Sequence, residues 1–221
     1  MRDRVLLKRC PVGLLLLALT VLVVSAGCAR LPYATQTIYQ GQFASVTLQQ
    51  EVEAARYSHP VQLTAEEMAS ILRGFSLRAQ QRVPLRWFAE EQPPNSMLRD
   101  DEIARLAPFL VEAFQKAGSE ERVHFVLSAP GMNRADANTV TAGWMALREP
   151  YLYIAIEHYH AEVPIRRSDA YVPNNPQMPP LPGSFLLFFE PGRFWTSDHS
   201  GVRALEYREF LKSPSAGRTT Q

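Results

Sequence analysis

The chain has 221 residues, with 23 basic and 22 acidic side chains, a net charge of +1 and 46% hydrophobic residues. That apolar fraction is too high for a disordered chain and too low for a polytopic membrane protein, while the length suits a globular domain with its own core. The balanced charge gives no reason to expect nucleic acid as a partner, and two cysteines cannot build a disulfide framework.

Arg2, Arg4, Lys8 and Arg9 crowd the first ten residues. An apolar run from Val12 to Val24 follows, about 13 residues against the ~20 that a membrane-spanning helix needs. Small Ser25, Ala26, Gly27 and then Cys28 close it. A basic, then apolar, then small-residue layout is that of a secretory signal, and the short core favours a removable one. The stretch Val24-Ser25-Ala26-Gly27-Cys28 resembles the lipobox of bacterial lipoproteins. Ala26 and Gly27 fit that pattern, whereas Ser25 stands where an aliphatic residue is commoner. The resemblance covers residues 1–28 only. It implies cleavage between Gly27 and Cys28, diacylglycerol in thioether linkage on the Cys28 sulfur, and a palmitate-type acyl chain on the new N-terminus. Two or three acyl chains anchor stably where one is marginal. By the same resemblance, the non-acidic Ala29 implies the periplasmic side of the outer membrane. With Cys28 acylated and Cys10 discarded, the mature chain keeps no free thiol. Residues 1–27 hold four basic groups and one acidic group, so removing their +3 leaves −2 on the remainder.

Residues 29–42, ARLPYATQTIYQGQ, read as a polar tether, and a single α+β domain is expected over residues 43–212. A strand is predicted from Phe43 through Leu48, continuing toward Tyr57. Thr64-Ala65-Glu66-Glu67 is a capping-box pattern opening a helix with Met68, Ile71 and Leu72 on one face and Gly74 as its stop. Phe75 to Phe88 reads as extended chain broken at Pro84, and Pro93-Pro94 as a loop. The clearest helix runs from Asp100 to Ala117, with Ile103, Leu106, Leu110 and Phe114 on one face and Pro108 as a potential kink. Strands follow at Arg122–Leu127, at Asn138–Leu147 with Tyr151–His160 as a hairpin, and at Ser184–Phe189. The order β-α-β-α-β-β-β predicts a mainly antiparallel sheet with two helices packed on one face. Five prolines in Pro173–Pro182 force extended backbone, read as a stiff connection rather than a ligand for an aromatic groove. Ser213–Gln221 reads as a disordered tail.

One hexapeptide offers metal chemistry. In Glu157-His158-Tyr159-His160-Ala161-Glu162, a strand period of two puts His158, His160 and Glu162 on one face. Two imidazoles and a carboxylate suit zinc or another divalent metal with positions left for water. Ile154 and Ile156 precede them on the same face, so a strand emerging from core into solvent is the first reading. His59, His124 and His199 remain unassigned. Asp198-His199-Ser200 is refused as a triad, because consecutive residues rarely converge in an ordered relay. Phe185, Phe188, Phe189, Phe194 and Trp195 read as core, and Arg166-Arg167 beside Ser168-Asp169 as a solvated pair. The sequence holds no nucleophile elbow, Walker loop, dinucleotide fingerprint or H-E-x-x-H motif. The expectation is therefore a lipid-anchored, noncatalytic structural module that binds an envelope protein and needs no cofactor. The alternative is a metal-dependent periplasmic hydrolase using His158, His160 and Glu162.

Overall fold

The computed structural model describes residues 32–79, 93–130, 137–164 and 185–214. The lipobox, residues 80–88 of the expected extended stretch, the Arg166-Arg167 pair, the proline run Pro173–Pro182 and the tail from residue 215 lie outside the described residues.

Alternation builds the main sheet. In strand β2 (Ala44–Gln50), Ala44, Val46 and Leu48 are buried while the residues between them are half-exposed. In β5 (Glu121–Pro130) the buried set is Val123, Phe125 and Leu127. Side chains two apart share a face, so these apolar stripes lie on one side of the sheet. β6 (Ala137–Arg148) pairs Met145 with Val123, and β7 (Tyr151–Pro164) pairs Ile154 with Met145, carrying the stripe across. With β1 (Tyr33–Gln40), β9 (Trp195–Ser197) and β10 (Arg203–Glu206), the order is β1-β2-β5-β6-β7-β10-β9, antiparallel at every pairing.

Helix α1 (Ala65–Gly74) starts with a complete capping box. The Thr64 hydroxyl accepts from the Glu67 N–H at 3.1 Å, and the Glu67 carboxylate accepts from the Thr64 N–H at 2.7 Å. Gly74 ends it where a Cβ would lie 2.4 Å from the Phe189 ring. Helix α2 (Asp100–Lys116) runs through Pro108, which is exposed, so the carbonyl of exposed Ala104 that loses its donor can turn to water. Met68, Ile71 and Leu72 of α1 and Ile103, Leu106, Leu110 and Phe114 of α2 join the sheet's apolar stripe in one core.

A second, three-stranded sheet has the order β4-β3-β8, from β3 (Phe75–Ala79), β4 (Asn95–Ser96) and β8 (Phe185–Phe189). Its Phe75 meets Phe189 and Trp195 edge-on, at centroid distances of 4.8 and 5.5 Å. Phe189 and Phe194 pack in turn on Phe210 of α3 (Tyr207–Lys212). Phe189, Phe194 and Trp195 are core residues, while Phe185, Leu187 and Phe188 are half-exposed and Leu186 is exposed.

The mainly antiparallel α+β architecture is as the sequence predicts, with α1 and α2 in place and α3 as a third, short helix. Two expectations are corrected. The strand expected to continue toward Tyr57 ends at Gln50. Residues 33–40, assigned to a tether, form β1 against β2. Ile38 and Tyr39 are half-buried there, and the Tyr39 ring stacks on Phe109 of α2 at 3.8 Å.

Candidate functional site

The chemistry-bearing residues gather around β7, whose pairing with β6 is irregular. Gly143 opposes Ile156, Ala142 opposes His158 and Val140 opposes Ala161. β7 therefore carries one extra residue at Glu157 and another between His158 and Ala161. Each extra residue shifts the alternation by one. Ile154 and Ile156 lie on the helix side, opposite Met145 and Gly143. After the first bulge, His158 lies opposite Ala142, which itself opposes Val126 on the other face of the sheet, and both His158 and Ala142 are buried. His160, at φ +48°, lines a cavity on the helix side with Met97 and Ile103.

The same-face geometry expected for His158, His160 and Glu162 is therefore corrected. The two histidines lie on opposite sides of the sheet, because a period of two holds only in a strand without bulges. Glu162 is exposed opposite Thr139. Among the described residues no group of three His, Cys, Asp or Glu side chains is placed to hold a metal ion.

On that other face Glu157 meets residues that the sequence did not connect to it. Its carboxylate lies 3.1 Å from His124 Nε2 and 3.7 Å from the Arg122 guanidinium. Arg122 also donates to Gln49 at 3.1 Å, reaches Glu51 at 3.5 Å, and stacks over the Trp144 ring at 5.0 Å. The Tyr57 hydroxyl donates to Glu51 at 3.0 Å. Hydrogen bonding from His124, with the charges of His124 and Arg122, holds the Glu157 carboxyl below its usual range. Burial and the Glu51 carboxylate push the Tyr57 phenol up. The Arg122 side chain is only 12% exposed, so these interactions are less screened than ordinary surface pairs. Further along, the Arg148 guanidinium lies over both Tyr57 and Tyr153, at 5.6 and 5.7 Å. These residues come from four separate segments, and no spacing in the sequence announces them.

The cavity on the helix side has a volume of about 310 Å³ and is walled by Arg73, Arg99, Asp100, Glu102 and His160 among others. Its guanidiniums already have carboxylate partners. Arg73 pairs with Asp100 at 3.1 Å, and Arg99 with Glu102 at 3.2 Å and Asp101 at 3.3 Å. The His160 ring stacks on Tyr159 at 4.2 Å, and the Tyr159 hydroxyl donates to the Ser96 carbonyl at 3.3 Å.

Asp198, His199 and Ser200 make a turn. Asp198 Oδ1 accepts from the Ser200 N–H, the Ser200 hydroxyl and the Val202 N–H at 2.7–2.9 Å, while Oδ2 accepts from the Tyr153 hydroxyl at 2.7 Å. These bonds hold the Asp198 carboxyl far below its usual range. They join aspartate to serine directly, while His199 lies edge-on to Tyr151 at 6.3 Å, so no relay is formed. Burial and the Asp198 bond push the Tyr153 phenol up to about 12.

His59 is buried between Tyr57 and Phe114. Its Nε2 accepts from the Leu147 N–H at 3.4 Å, while Nδ1 is buried without a partner. The desolvated ring resists protonation, and burial brings its pKa down to about 4.

Among the described residues no helix is long and apolar enough to cross a membrane. No family model matches the chain, no curated protein matches it, and no solved structure matches it.

Proposed function

We propose that this protein is a bacterial lipoprotein, anchored through acylated Cys28 to the periplasmic side of the outer membrane, whose α+β domain is a noncatalytic module that binds an envelope protein. The observation that carries the anchor is Val24-Ser25-Ala26-Gly27-Cys28 at the end of a short apolar segment with a basic leader. The geometry supports a binding role over a hydrolytic one. His158 and His160 face opposite sides of the sheet, and the Asp198 carboxylate is committed to its turn. The face of the sheet away from the helices instead offers exposed Arg148 beside two tyrosines. Arginine and large aromatic side chains dominate the energetic centres of protein interfaces.

Replacing Cys28 is the primary test. Cys28→Ser is expected to abolish labelling by radioactive palmitate and to release the protein from the membrane fraction; unchanged retention would sink the lipid-anchor reading. The noncatalytic reading has a separate measurement. Purified full-length protein is expected to hold less than about a tenth of an equivalent of zinc, because two histidines on opposite faces cannot share one tetrahedral ion. One equivalent of zinc that is lost in both His158→Ala and His160→Ala would restore the metal-dependent alternative.

A further inference from the structure

We infer that the end of the main sheet bearing Tyr33 and Val52 is a membrane-facing surface: both side chains rest in the headgroup layer of a zwitterionic lipid bilayer, and β1 rises away from it toward Phe43. The inference deepens the proposed function and rests on its lipid-anchor reading.

Three observations carry it. The first is chain length. Four residues separate Cys28 from Tyr33, a contour of at most about 18 Å, so an acylated Cys28 keeps the start of β1 beside the bilayer. Phe43 stands at the other end of the β1–β2 pair, just before Ala44, and the six steps from Ala44 to Gln50 put it about 20 Å from Tyr33.

The second observation is apolar exposure. Tyr33 is 63% exposed and Val52 43%. The register brings them to one end, since Tyr33 pairs with Gln50, two residues before Val52. A tyrosine suits the headgroup layer, where the ring leaves water while the hydroxyl stays hydrated. Phe43 is 44% exposed, so exposure alone does not choose between the two ends; the position of the anchor does.

The third observation is charge, which selects the lipid. Glu121 opposes Gln50 at this end, Glu120 precedes it, and Glu51 and Glu53 flank Val52. Glu51 is bound by Arg122 and Tyr57, Glu120 by Gln50, and Glu121 by the Gly118 N–H and the Thr35 hydroxyl, which fixes these carboxylates in place. Residues 50–56 add one base, Arg56. Such a rim repels anionic headgroups, whereas zwitterionic lipid meets the two apolar side chains without that cost. Two side chains would not hold a free domain on a bilayer. Acylation makes the contact intramolecular, and a small apolar area is then enough to set the orientation.

Spin labelling of the acylated full chain in phosphatidylcholine vesicles tests the surface. Tyr33→Cys, Val52→Cys and Phe43→Cys each supply a single reactive thiol, since acylation consumes Cys28 and cleavage removes Cys10. All three positions are exposed, so cysteine is tolerated there. Collision with a water-soluble nickel chelate is compared with that of the same labels on Cys28→Ser protein in solution. Interfacial side chains lie ~5–10 Å deep, so the rates at Tyr33 and Val52 are expected to fall at least about fivefold, and that at Phe43 less than about twofold. Val52 is the deciding position, because the tether alone brings Tyr33 near the bilayer. Membrane-bound protein with an unprotected label at Val52, or with Phe43 protected as well, would overturn the surface. In phosphatidylglycerol vesicles the protection at Val52 is expected to be weaker; equal or stronger protection would overturn the choice of zwitterionic lipid. Cys28→Ser protein that remains in the membrane fraction would overturn the anchor instead.

Discussion

Gly143→Ala is expected to destabilise the fold by about 3 kcal/mol or more, at the upper end of overpacking effects, or to leave no soluble protein. The added Cβ would lie 2.4 Å from the backbone oxygen of Ala155, with Ile156 and Phe125 at 3.1 and 3.2 Å. A flexible side chain could swing away from such a contact, but a carbonyl on the paired neighbouring strand can move only with its ladder. Gly143 also sits between Phe125 and Ile156 in the register, in the middle of the sheet. Urea denaturation of the purified domain checks this through the midpoint at unchanged slope. An unshifted midpoint would mean that Gly143 does not oppose Ile156.

Acid stability is expected to follow His59. Its pKa is lowered from 6.5 to about 4 by burial, partly offset by Glu121. Between those values the unfolded chain binds a proton that the folded protein refuses, so stability falls as pH drops. Above pH 6.5 His59 contributes no slope; across the window the loss is on the order of 3 kcal/mol, from ~1.4 kcal/mol per pH unit. The carboxyls of Glu149, Glu157 and Asp198 have lowered values and lose their contribution only as pH falls further, below the ordinary carboxylate range. His59→Gln keeps an oxygen able to accept from the Leu147 N–H and removes the titrating ring. Its denaturation midpoint is expected to be much flatter between pH 6.5 and 4.5 than that of the wild type. An equal slope in both proteins would place the titration elsewhere.

The parts of the fold legible in the sequence are those where one local pattern decides the outcome. Thr64 with Glu67 determines the start of α1, and the stripe from Ile103 to Phe114 determines the buried face of α2. The β6–β7 hairpin is visible because both strands are long, apolar and separated by a Pro150 turn. β1 is not visible for the converse reason. An edge strand that buries only part of Ile38 and Tyr39 needs no alternating pattern, so its polar, uncharged sequence resembles a tether. α3 has six residues and is held by Tyr207 and Phe210 in the distant core, leaving little periodicity to detect. The candidate site is illegible for a different reason. His158 and His160 stand out chemically in the sequence, but their faces depend on the ladder with β6, which residues on another strand impose. The association of Glu51, Arg122 and Glu157 likewise exists only after three segments are brought together.

The two irregularities of β7 cancel one another. The extra residue at Glu157 inverts the alternation, and the one before Ala161 restores it, so Glu162 returns to the phase set by Ile154 and Ile156. They act like a pair of compensating frameshifts written in backbone geometry. Losing either alone would turn every downstream side chain of β7 to the wrong face, whereas losing both would change only the few residues between them. Length variation in this strand is thus constrained by parity: a one-residue deletion at Glu157 is tolerable chiefly alongside a second near His160.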